Sequence, residues 1–119
     1  MKEYVTRSEF TCKCGCGANN IYPRLVKMLN EARISAKTPF IINSGVRCPA
    51  HNKIIGGSPS SSHITGLAAD IAYNGSHQRH LILKALYAQG FERVGINKHK
   101  KFIHVDVDTS KPQELTWMY

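Results

Sequence analysis

Two short stretches carry side chains whose types and spacing suit a metal ion. In the first, residues 61–71, the imidazole of His63 and the carboxylate of Asp70 stand seven positions apart. Gly66 between them permits a tight turn, and Ala68 and Ala69 beside the carboxylate are small. Beyond the turn the chain alternates, so Leu67, Ala69 and Ile71 face one way and Ala68, Asp70 and Ala72 the other. An ionised Asp is seldom buried without a partner, so an Asp inside a mostly apolar strand, one turn after a His, points to a cation. Imidazole and carboxylate are both zinc donors. The plainer reading of these residues alone is a surface His and an Asp accepting backbone hydrogen bonds. The second stretch is the strand Phe102–Val107. Ile103, Val105 and Val107 share one face; Phe102, His104 and Asp106 share the other. His104 supplies a third donor. With His63, Asp70 and His104 as metal ligands one coordination position stays open, as in catalytic rather than structural zinc sites. A half-solvated edge strand would also show a polar face.

Taken together these motifs resemble a known family. The run Ser61-Ser62-His63-Ile64-Thr65-Gly66-Leu67-Ala68-Ala69-Asp70, followed by Phe102-Ile103-His104-Val105-Asp106, is similar to the zinc D-Ala-D-Ala carboxypeptidases and related phage and bacterial peptidoglycan peptidases. Two further segments match: Ser44-Gly45-Val46-Arg47-Cys48-Pro49-Ala50-His51-Asn52, and the glycine-rich Gly56-Gly57-Ser58-Pro59 before the first His. The likeness spans residues 10–108 in the family's order. It implies an α+β fold shared with the hedgehog signalling domain: a small central antiparallel sheet, helices packed on it, and zinc at the sheet's open face. It also implies a zinc metallopeptidase acting on the peptides of bacterial peptidoglycan, as a carboxypeptidase or an endopeptidase of the endolysin type.

The resemblance gives Arg47 a role beside the metal, either steadying a developing oxyanion or clamping a substrate carboxylate through its planar fork. The general base is less well marked. Several relatives place a Glu three residues before the last His; here Lys101 stands there. Others use a His five residues before it, and His99 occupies that position. Three lysines around His99 disfavour its protonated form, which suits a neutral base or an idle loop residue equally. Asp106, on the His104 face, can take a proton from water or orient a ligand. Arg47, His99 and Asp106 are therefore the catalytic candidates.

Composition bounds these readings. A chain of 119 residues with 42% hydrophobic content has room for one domain, residues 1–119, and one modest core. No apolar run approaches the ~20 residues that span a bilayer, so no membrane insertion is expected. The start, Met1 to Arg7, lacks an apolar signal-peptide core. The expected route is synthesis in the cytoplasm and delivery to the cell wall by a phage lysis system or particle. A formal net charge of +8 attracts polyanions. The basic residues are scattered, apart from Lys98–Lys101, and no aromatic ladder is present to stack bases, so wall polymer is favoured over nucleic acid. A monomer is expected.

The elements that must position these residues can be read along the chain. Residues 1–20 begin as polar strand or coil. Residues 22–34 read as a helix, with Pro23 at its first position and Leu25, Val26, Leu29 and Ala32 as its apolar stripe; Asn30 lies largely outside that stripe. Pro39–Asn43 is a short strand that delivers Arg47 at its end. Pro49 starts a short helix to Ile55, on which His51 and Asn52 are structural, and residues 58–62 form a polar loop. A second helix runs from about His77 to Ala88, with Ser76 as N-cap and Gly90 just past its end. Phe91–Ile96 is a strand and Asn97–Lys101 a turn, while the tail from Thr109 packs by its aromatics. Helices and strands without a regular βαβ alternation indicate α+β.

Four cysteines, Cys12, Cys14, Cys16 and Cys48, leave three readings open. Reduced thiols are the default without a signal peptide. A disulfide from Cys48 to one of the other three is a second reading. A metal site is the third, although Cys-x-Cys-x-Cys is tighter than the usual Cys-x2–4-Cys of structural zinc. Two other functions compete with hydrolysis. A hedgehog-like domain can keep its zinc and serve as a non-catalytic wall-binding or structural module, and a Cys/His zinc domain for nucleic acid would need ligand spacing that these cysteines lack.

Overall fold

The computed structural model describes residues 4–119. Residues 1–3 of the expected N-terminal coil lie outside that range; from Thr6 the chain enters a single 3-10 turn, Arg7–Phe10, closed by a Thr6/Glu9 capping box. Helix α1 spans Pro23–Ala36, starting one residue later and ending two residues later than its periodicity suggests, and stops where Lys37 turns left-handed at φ 55°. Strand β1 (Ile41–Ser44) leads through Arg47 into the short helix α2 (Pro49–Ile54). Strand β2 is Ala68–Ala72 and helix α3 is Gly75–Ala88. Helix α3 is capped from Asn74 rather than Ser76, because the Gln78 side chain reaches back to accept the Asn74 N–H at 2.6 Å. Strands β3 (Arg93–Asn97), β4 (Phe102–Asp106) and β5 (Leu115–Met118) complete the chain.

The five strands form one sheet in the order β1-β2-β4-β3-β5. The first four are antiparallel neighbours, but β5 runs parallel to β3. The architecture is therefore α+β with a mixed sheet, which corrects the expectation of a purely antiparallel one. The reason lies in the tail. Residues 107–114 cross the end of the sheet from Asp106 to Leu115, both level with Arg93 at the start of β3, so the last strand enters in the same direction as β3. The tail does pack by its aromatics, and it also contributes a strand.

Strand alternation divides the sheet into two unlike faces. Ile42, Ala69, Ile71, Ile103, Val105 and Val94 point into the core and meet Leu25, Leu29, Ile82 and Leu86 from α1 and α3. Ile71, Ile103 and Val105 have no exposed surface, so truncating Ile103 to Ala would cost about 2–5 kcal/mol. Asn30, on α1, is buried after all. Its amide is fully employed: Oδ1 accepts the N–H groups of Tyr4 and Val5, and Nδ2 donates to the carbonyl of Val5. That clamp ties the N-terminal segment to α1. The opposite face of the sheet carries Asp70, His104, Asp106, Arg93 and Asn97, all buried yet all polar. Helices α1 and α3 pack on the other face; this one is the floor of a cleft.

Candidate metal centre and its cleft

Register decides which polar groups meet. Residues directly opposite one another on paired strands share a face, and one row across the sheet reads Ser44, Asp70, His104, Gly95, Trp117. The adjacent row pairs Asp106 with Arg93. Gly95 leaves space in the first row: a Cβ there would fall 2.5 Å from the Trp117 indole nitrogen. The Trp117 ring thus lies beside His104, with centroids 5.4 Å apart, and the Arg93 guanidinium stacks over it.

His63 comes from outside the sheet, on the turn before β2. That turn closes through Gly66, at φ +76°, where a Cβ would collide with the Asn20 carbonyl. The His63 ring is pinned from behind. Its Nδ1 sits 2.7 Å from the carbonyl oxygen of Gly45. A carbonyl only accepts, so Nδ1 carries the proton and Nε2 presents a lone pair. Gly45 itself is held where no side chain fits, since a Cβ would lie 2.6 Å from the Phe10 backbone.

The lone pair of His63 Nε2 is aimed at Asp70. It lies 3.2 Å from Oδ1, but not in hydrogen-bonding geometry, and Nε2 is a buried nitrogen with no hydrogen-bond partner. Two acceptors held face to face in a desolvated site repel unless positive charge lies between them. The same Asp70 Oδ1 is 3.0 Å from His104 Nδ1. On the far side of that ring, Nε2–H donates to Asp106 Oδ2 at 2.7 Å. Donor atoms of His63, Asp70 and His104 all lie within 4.8 Å of one another. A buried orphan nitrogen, a shared carboxylate oxygen and an imidazole oriented by a carboxylate form a donor set that fits zinc.

Electrostatics agree with a site shaped around a cation. Burial works against the Asp70 carboxylate, but the hydrogen bond from His104 leads the effects that outweigh it and hold its pKa well below the usual range. Burial likewise opposes the His104 imidazolium, yet the bonds to Asp106 and Asp70 win and push its pKa up. Asp106 is lowered against its burial chiefly by His104. Without metal, a proton on His104 Nδ1 occupies the position that an ion would take.

Arg47 closes one side of the site. Its Nη2 donates to Asp70 Oδ2 at 3.2 Å, Nε donates to Ser44 Oγ at 3.1 Å, and Nη1 donates to Asn52 Oδ1 at 3.3 Å. Asn52 in turn donates to the Ser58 carbonyl, which links α2 to the loop ahead of His63. Asp106 is committed three ways, to His104, to Arg93 Nε at 2.7 Å, and to the Asp108 N–H at 3.1 Å. These groups floor a cleft of about 450 Å³ whose rim includes Lys100, Lys111 and Tyr119.

Of the residues singled out from sequence, the structure brings His63, Asp70, His104, Arg47 and Asp106 together. It does not bring His99. That residue sits exposed on the β3–β4 turn, which Asn97 organises by accepting the N–H groups of His99 and Lys100. Arg93, Trp117 and the Gly45 carbonyl were missed. Arg93 had a signal, since it shares the strand face of Asn97; the other two act through contacts that no local pattern shows.

The buried cluster of His63, Asp70 and His104 defines the class first, a domain with a candidate metal site on one face of its sheet. A family model described as Peptidase M15 matches residues 3–106. The chain belongs to that family, the zinc D-Ala-D-Ala carboxypeptidase-like peptidases. No curated protein matches it. None of the described helices is long and apolar enough to cross a membrane.

Proposed function

We propose that this chain is a single-domain zinc peptidase that hydrolyses the peptide part of bacterial peptidoglycan, as a carboxypeptidase or endopeptidase of the lysin type. The observation that carries the reading is the unpartnered, buried Nε2 of His63, aimed at the carboxylate oxygen that His104 also faces. His63 Nε2, Asp70 Oδ1 and His104 Nδ1 would hold the ion. Zinc, when bound, supplies Lewis acidity: it polarises a scissile carbonyl and lowers the pKa of a water towards ~7. The family match supports the same chemistry, and the four antiparallel strands under the site accord with the hedgehog-type arrangement.

The chain's own residues supply the rest. Arg47 orients Asp70 through their ion pair, and its guanidinium can grip a substrate carboxylate or an oxyanion. Asp106 holds the His104 proton on Nε2, which leaves Nδ1 free as a donor atom. Its other oxygen, Oδ1, is engaged by both Arg93 and the Asp108 N–H, so Asp106 works as a positioning residue rather than a free base. Lys100 and Lys111 at the rim, with Arg47, make a cationic cleft suited to peptides bearing free carboxylates. Action on the wall would follow delivery from the cytoplasm by a phage particle or lysis system.

A second reading, a zinc-containing wall-binding module without turnover, draws on two observations. Lys101 replaces the glutamate of some relatives, and His99 lies outside the cleft. Digestion of purified peptidoglycan with the zinc-loaded protein, followed by mass analysis of the fragments, separates the two. New peptide termini that vanish with chelation support the peptidase and identify the bond cut. Sedimentation with intact wall and no fragments would support the module.

A further inference from the structure

A second cluster of metal-competent atoms lies behind the Arg47 segment. The sulfurs of Cys12, Cys14, Cys16 and Cys48 all lie within 4.8 Å of one another. Cys14 Sγ is 3.5 Å from Cys12 Sγ and 3.6 Å from Cys48 Sγ. A disulfide would require about 2.05 Å, and all four are free thiols. Four thiolates at about 2.3 Å from one zinc in a tetrahedron stand about 3.8 Å apart. The observed spacing is that of ligands round a shared ion.

The chain reaches this arrangement despite its tight Cys-x-Cys-x-Cys spacing. Gly15 and Gly17 take φ values of +88° and +83°, in the left-handed region. The loop closes through the Cys12 N–H on the Ala18 carbonyl and the Gly15 N–H on the Cys12 carbonyl. This coil turns three nearby sulfurs inward around Cys48. Backbone donors also face the sulfurs: the Cys48 N–H meets Cys12 Sγ, the His51 N–H meets Cys48 Sγ, and the Ala18 N–H meets Cys16 Sγ, each at 3.4 Å.

We propose that Cys12, Cys14, Cys16 and Cys48 bind a structural zinc ion, separate from the His63/Asp70/His104 site, that staples the N-terminal loop to the segment carrying Arg47. Four thiolates close the coordination sphere and leave no position for substrate, and soft sulfur donors select zinc over hard cations. The location gives the ion a positioning role. Cys48 follows Arg47 directly, the Val46 N–H donates to the Phe10 carbonyl at 2.8 Å, and the Gly45 carbonyl holds His63 Nδ1–H. The ion thus fastens one end of a paired segment whose other end orients His63.

The test counts zinc on the full chain after zinc addition and removal of the excess. Two ions per chain are expected in the parent protein, one in the double variant Cys14→Ser/Cys16→Ser, and one in His63→Ala. Cobalt-exchanged parent protein and His63→Ala should both show near-ultraviolet thiolate-to-cobalt charge-transfer absorption, and the cysteine variant should not. A cobalt form without that absorption would overturn the proposal. So would four thiols that react freely in the folded, zinc-treated chain, or a mass two hydrogens lower that reveals a disulfide. The parent spectrum decides the matter even if the cysteine variant does not fold. Failure here leaves the cleft site untouched: a single zinc lost with His63→Ala removes only the cysteine site, and a single zinc lost with the cysteines removes only the other.

Discussion

The two clusters make an instructive pair. In the cleft, each donor is gripped by a protein group other than the ion: His63 by the Gly45 carbonyl, His104 by Asp106, Asp70 by Arg47. These donors are buried and two of them stand opposite each other in strand register. In the cysteine loop, Cys14 and Cys16 are exposed, and the sulfurs are met by one another and by backbone N–H groups. One site is built by the sheet and would keep its shape when empty. On the proposal above, the other would draw its order from the ion it binds, because a short exposed loop gains little from its own contacts against its conformational entropy. The difference teaches where rigidity is inherited from: β-pairing in one case, coordination in the other.

The largest effects should come from the cleft ligands. His63→Ala or His104→Ala should reduce peptidoglycan hydrolysis to background and remove one zinc per chain, with the cysteine-bound ion retained. Full metal in both variants would show the cleft site to be misplaced. Asp106→Asn keeps the shape but weakens the orientation of His104, so zinc affinity and rate should both fall by ~10–100-fold. An unchanged zinc affinity in a competition titration would argue against the positioning role. Arg47→Lys loses the planar fork that reaches Ser44, Asn52 and Asp70 at once. Turnover should drop tenfold or more, at least ~1.4 kcal/mol in barrier, and near-normal turnover with zinc in place would reject the assignment.

Smaller effects sharpen the contrast. Zinc must displace the proton from His104 Nδ1, whose pKa is raised, so affinity at the cleft should climb as pH rises through and above ~6.5. In the metal-free fold the signs are opposite for base and acids. The His104 imidazolium contributes stability below its unfolded pKa, and this is lost as pH rises through the higher folded value. Asp70 and Asp106 contribute above ~3.9, and this is lost as pH falls below that value through their lowered folded pKa values. Denaturant titrations of metal-free protein across pH, with Asp70→Asn as control, would check both limbs. Chelation followed by amide hydrogen exchange should deprotect residues 11–19 while strands β2 and β4 stay protected; equal loss in both would erase the contrast. Last, His99→Ala should change activity by no more than roughly twofold, about 0.5 kcal/mol, as for an exposed surface residue. A large loss would mean that the turn closes over the cleft when substrate binds.

Much of this site could be read from the chain alone. The period-2 pattern of Phe102–Asp106 puts His104 and Asp106 on one face, and the apolar alternation around Asp70 puts its carboxylate opposite the core. Facing is a local property, fixed by backbone geometry, so sequence determined it. Distances between elements are not local. That Asp70 lies across from His104, that Gly95 makes room for Trp117, and that the tail returns parallel to β3 all depend on register and on the path of connecting loops. The His63 tautomer depends on a carbonyl eighteen residues away. His99 shows the same limit from the other side: its spacing from His104 is right, but the β3–β4 turn carries it outward. For the cysteines, spacing alone left thiols, disulfide and metal open. Only the left-handed turns at Gly15 and Gly17, together with the arrival of Cys48, brought four sulfurs into one shell, because convergence in space is set by tertiary packing rather than by separation along the chain.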